Sequence, residues 1–109
     1  MNSVERRTNK RYPIALKVLL LKKDYLPVLT GLTLDISRSH VMMHCDTENH
    51  NCVLRDVVIL RIAWPCQLSD GASLILQWTG NIIRIDECRI VISHRAHKFV
   101  VGREWPRMT

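Results

Sequence analysis

Apolar and polar residues alternate with a period of two along most of this chain, the spacing of strands rather than helices. The strand pattern begins at Pro13, where Ile14, Leu16, Val18 and Leu20 share one face and Ala15 and Lys17 the other. Lys22 to Tyr25, ahead of Pro27, reads as a turn. Leu32, Leu34 and Ile36 then alternate with Thr33, Asp35 and Ser37, which predicts one wholly apolar and one wholly polar face. Val41 to Cys45 fits a short strand after a turn at residues 38–40, and Asp46 to Asn51 is a polar loop. Val57 to Trp64 is rich in β-branched residues and stops at Pro65. Beyond a turn at Ser69 to Ala72, Leu74 to Ile85 form a long run broken by Gly80. A glycine inside a strand marks a bulge or sharp bend of the kind a barrel corner requires. Cys88, Ile90 and Ile92 make a last alternating run, and Arg95 to Val101 fits either one helical turn or another short strand.

Five or six strands at short intervals predict an all-β fold, a small antiparallel barrel or sandwich. At 109 residues the chain is long enough for one domain with one core. The expected division is a flexible arginine-rich arm over 1–12, the β-domain over 13–101 and a tail over 102–109 that is too short for a packed helix. Three Trp, two Tyr and one Phe are the only aromatic residues, so the core rests on Leu, Ile and Val. No run approaches the ~20 apolar residues of a membrane-spanning helix, and no apolar segment precedes the first charges, so no signal peptide and a cytoplasmic location are expected. Cys45, Cys52, Cys66 and Cys88 include no Cys-x-x-Cys pair and are expected to be free thiols, with Cys88 a small buried residue.

Charge adds a partner class. A formal net charge of +6 and a pI near 9.6 favour an anion: nucleotide, nucleic acid, acidic protein or anionic membrane. The cations cluster at the start, where Arg6, Arg7, Lys10 and Arg11 fall within six residues. Arginine forks suit phosphates and the O6/N7 edge of guanine, and a carboxylate accepts from the guanine N–H edge. Asp35 and Ser37, two apart on a strand, are placed to meet one ligand together. Each motif also has a plainer reading, a solvated basic leader and a polar strand face ending in a serine turn.

Taken together, Arg7-Thr-Asn-Lys-Arg11 and Asp35-Ile-Ser37-Arg-Ser-His40 resemble the two motifs of the PilZ domain family, R-x-x-x-R and D/N-x-S-x-x-G. Downstream, Leu60 to Pro65 is similar to the family's apolar strand ending in proline, Gly80 to Arg84 to its G-x-V-V-R, and Ile92 to Phe99 to its closing strand. The resemblance implies a six-stranded antiparallel (split) β-barrel with at most a short C-terminal helix. It also implies a receptor for the bacterial second messenger cyclic di-GMP, with Arg7 and Arg11 on phosphate and guanine, Arg6 as a third cation, Asp35 on the guanine N–H edge and Ser37 near the phosphate or loop backbone. His40 stands where the family motif has glycine, a residue that permits a positive φ or close approach by the ligand. Its ring either crowds the base, stacks on it or, once protonated, meets a phosphate. A chain this short is expected to pass the signal to a separate effector protein.

Other classes fit less well. His44, Cys45, His50 and Cys52 are zinc-competent, but adjacent strand residues point to opposite faces and the spacing matches no common zinc module. No glycine-framed nucleophile or second acidic cluster suggests catalysis, so a non-enzyme is expected. The alternatives kept are a protein-interaction module that no longer binds nucleotide, and a basic barrel binding single-stranded nucleic acid on Trp64, Trp78 or Trp105. Alternation places Trp64 and Trp78 in the core.

Overall fold

The computed structural model describes residues 14–47 and 51–102. Seven strands run in the order β1 (Lys17–Lys22), β2 (Pro27–Ile36), β3 (His40–Cys45), β4 (Val57–Gln67), β5 (Ser73–Asp86), β6 (Arg89–Ser93) and β7 (Ala96–Gly102). Every pairing is antiparallel. Six strands close into a ring, β1-β2-β3-β6-β5-β4 and back to β1, and β7 adds to the first half of β5 outside it. The expected barrel is therefore present, with one strand more than expected. Among the described residues there is no helix, and so none long and apolar enough to cross a membrane. Of the two readings of Arg95 to Val101, a helical turn or a short strand, the strand is found: β7, whose Val100 and Val101 pair with Ile75 and Leu74 across the sheet. Its β-branched residues suit a pleated surface better than a helical turn.

The barrel interior is aliphatic. Val18, Leu20, Val41, Met43, Val58, Leu60, Ile62, Ile82, Ile90 and Ile92 are fully buried there. Leu19, Leu21 and Ile59 form a second, smaller buried cluster, so β1 is buried on both faces. Cys45, rather than Cys88, is the fully buried cysteine, and its Sγ donates to the Cys88 carbonyl oxygen at 3.0 Å. Burial pushes its thiol up to about 11. A proton held more tightly in the folded state stabilises the fold below pH ~9, and that contribution is lost as pH climbs toward 11.

Two irregularities set the shape. The first is Gly80, where β5 leaves β7 and takes up β6: residues 73–79 pair with β7 and residues 82–86 with β6. A Cβ at Gly80 would stand 1.7 Å from the Ser93 carbonyl oxygen, so only glycine fits against the strand passing there. The expected corner is thus found. The second is a bulge in β2, whose register to β3 shifts between Thr33 and Asp35. It overturns the expected apolar face. Leu29, Gly31 and Thr33 are buried and Leu32 is 47% exposed, whereas beyond the bulge it is Ile36 that is buried. The extra residue switches the phase of the strand. Likewise β4 runs on to Gln67, because Pro65 sits within a register shift where no ladder N–H is required.

Buried Thr33 is fully used. Its Oγ1 accepts from the Leu16 N–H at 2.9 Å and donates to the Ile14 carbonyl oxygen, while its own N–H donates to the Leu16 carbonyl oxygen. Residues 14–16 are thereby strapped alongside β2 ahead of β1. Thr33→Val should cost about 1–3 kcal/mol, because it strands partly buried backbone groups at Ile14 and Leu16. A denaturant midpoint unchanged from the parent would show that the strap contributes nothing.

Candidate functional site

The β2–β3 corner holds the second sequence motif. With the phase of the first half of β2 continued, Asp35 would enter the barrel beside Thr33; the bulge instead leaves it half-buried. The Asp35 carboxylate makes no hydrogen bond or ion pair with any described residue. A carboxylate presented in this way is available to a cation or an N–H donor. Of the roles expected for Ser37, the contacts present are those with the loop backbone. The residue is buried, its N–H donates to the His40 carbonyl oxygen at 2.9 Å, and its Oγ accepts from the Ser39 and His40 N–H groups at 3.3 and 3.2 Å. It therefore shapes the turn from within, as a serine turn does.

His40 is exposed at the start of β3 and pairs with Ser93. Its Nδ1 lies 2.7 Å from Ser39 Oγ. Among described non-glycine residues only Tyr25, Arg55 and Glu87 have positive φ, so the backbone at His40 does not call for glycine. What remains of the motif's requirement is room for a ligand. The turn is fixed to the end of neighbouring β6 as well, since the His94 N–H donates to the Ser39 carbonyl oxygen at 3.0 Å.

Beside this corner lies a cavity of about 430 Å³. Ser37 and Arg38 form one lip, from the β2–β3 turn. The wall is aromatic: Trp64 of β4, Trp78 of β5 and Phe99 of β7. Trp64 and Phe99 meet edge-to-face with centroids 5.5 Å apart, and Trp78 Nε1 donates to the Ser93 carbonyl oxygen at 2.9 Å. His94 and His97 complete the rim, Nε2 to Nδ1 at 2.8 Å, with the His94 ring edge-on to Trp78 at 4.8 Å. The cavity thus combines apolar area for a ring with one fixed cation and several polar groups.

Chain connectivity limits how far the first motif can lie from this corner. Arg6, Arg7 and Arg11 lie outside the described residues. Ile14, however, is bonded to Thr33, two residues from Asp35, and the three residues from Ile14 back to Arg11 span at most about 11 Å of chain. Covalent reach therefore permits Arg11 to meet Asp35 or Ser37. Of the zinc-competent residues, His44 is exposed and Cys45 buried, while His50 lies outside the described residues. Among the described residues no three His, Cys, Asp or Glu side chains stand together as a metal site.

Sequence reasoning reads His94 and His97, which could pair, as surface histidines at a strand end, and it missed Arg38 and the cavity itself. Its lining comes from four strands and two turns spread over more than sixty residues, which no local pattern connects. The one available signal was the cluster of two histidines and a phenylalanine between residues 94 and 99. Compared with models of known protein families and with curated proteins, the chain matches none.

Proposed function

We propose that the chain is a receptor for cyclic di-GMP that relays the signal to a separate effector protein. The observation that carries this reading is the β2 bulge, which leaves the Asp35 carboxylate without a partner among the described residues, beside the strap that follows the arginine cluster in the chain. Cyclic di-GMP offers two phosphates and two guanines. Arg7 and Arg11 grip phosphate and the guanine O6/N7 edge, with Arg6 as a further cation, while Asp35 accepts from the guanine N–H edge. Ser37 holds the turn in shape, and His40 borders the ligand. The net charge of +6 draws the dianion in. Closing the arginines over the nucleotide changes the surface that an effector meets.

Isothermal titration calorimetry with cyclic di-GMP should show micromolar or tighter affinity. Asp35→Asn should weaken it about tenfold, as expected for one charge-assisted hydrogen bond. No heat at high protein concentration overturns the reading. In that case steep, salt-sensitive binding of an oligonucleotide would favour a nucleic-acid partner.

A further inference from the structure

The His94–His97 contact is a polar feature of the aromatic cavity that the reading above leaves unused. We propose that this pair is a proton-coupled contact for an anion carrying a planar ring, taking up one proton as the anion enters the cavity. In taking cyclic di-GMP as the natural occupant, this rests on that reading.

The chemistry follows from the 2.8 Å separation of His94 Nε2 and His97 Nδ1. One of these nitrogens carries a proton and the other offers its lone pair. Whichever tautomer is present, one outer nitrogen is then an N–H and the other is bare. A proton added at the bare outer nitrogen leaves the internal hydrogen bond intact and turns both outer nitrogens into donors. A second added proton would place hydrogens on both inner nitrogens and drive the rings apart. The pair is therefore built to accept one proton.

Its surroundings tie that proton to a ligand. From the β2–β3 turn the facing charged group is Arg38, and from the pair's own segment Arg95 and Lys98 are adjacent in the chain. Trp64 of β4 and Trp78 of β5 bring no charge, and among the described residues no carboxylate lines the cavity. An anion held beside the pair favours its protonated form, so proton and anion enter together. By linkage, affinity rises as pH falls through the imidazole range, by up to tenfold per pH unit for one proton. The aromatic wall selects, among anions, those with a flat ring.

The probe is 8-anilinonaphthalene-1-sulfonate, whose sulfonate keeps its charge across this range and whose fluorescence reports an apolar site. On the full chain it should bind at least tenfold more tightly at pH 6 than at pH 8. The double variant His94→Gln/His97→Gln should bind as the parent does at pH 8 and show less than a twofold change between the two. Calorimetry of the parent chain in buffers of different ionisation enthalpy needs no variant and should show net proton uptake at pH 7. Failure of the probe to bind, a pH-independent affinity, zero proton uptake, or an unchanged pH slope in the double variant each overturns the proposal. Cyclic di-GMP should displace the probe with the same uptake. If the probe shows the coupling and cyclic di-GMP does not bind, the second-messenger reading falls and the proton-coupled site stands.

Discussion

Gly80→Ala should cost the fold about 3–5 kcal/mol, a large share of the stability of a domain this size. The new methyl would lie 1.7 Å from the Ser93 carbonyl oxygen and 2.8 Å from its carbonyl carbon, and both are backbone. They cannot yield cheaply, because Ser93 closes the corner by three routes. It pairs with His40, its carbonyl oxygen accepts from Trp78 Nε1, and its Oγ accepts from the Asn81 N–H. Moving β6 to make room loosens all of them together. Chemical denaturation followed by far-ultraviolet circular dichroism should therefore give a much lower midpoint, or no folded baseline. A midpoint within error of the parent would mean that β5 and β6 do not approach this closely.

The second large effect concerns binding and leaves the fold alone. Arg7→Ala and Arg11→Ala should each weaken cyclic di-GMP binding tenfold or more, at about 1.5–3 kcal/mol per charge-assisted contact. The double variant should lose about a hundredfold or more. Denaturation midpoints should match the parent, since both positions precede the Ile14–Leu16 strap. Arg11→Lys distinguishes a fork from a point charge: it keeps the charge but not the paired donors, so only part of the affinity should return. Calorimetric titration of the four proteins decides the matter. Equal affinities throughout would remove the arginines from the site.

How much of this was legible in the sequence depended on the range of the forces involved. β1 was readable because Val18 and Leu20 share a face with Ile14 and Leu16, and all four do pack on the main core. Gly80 was readable because only a crowded corner excuses a glycine inside so apolar a run. The phase of β2 was not, although its alternation looked cleanest. Thr33 is buried because Ile14 and Leu16 satisfy its hydroxyl and N–H from another part of the chain, and nothing near Thr33 in sequence announces those partners. At the site, the Asp35-x-Ser37 spacing drew attention to this turn and left Ser37 either a ligand contact or a turn-former. Its hydroxyl goes to the turn. His94 and His97 read as solvated strand-end residues, because their closeness depends on the turn between β6 and β7 and on Trp78 beneath them.

The strand outside the ring has a further consequence. Among the described strands β7 pairs with β5 alone, its other edge carrying no strand, yet it supplies Phe99 and His97 to the cavity. Each hoop strand has two neighbours, so β7 is the part that detaches at least cost, before the closed ring opens. The cavity is then a seasonal one, present only while that last strand is docked. Whatever fills it acts as a latch on the chain's end, turning occupancy into a change of shape at the rim while the ring itself stays still.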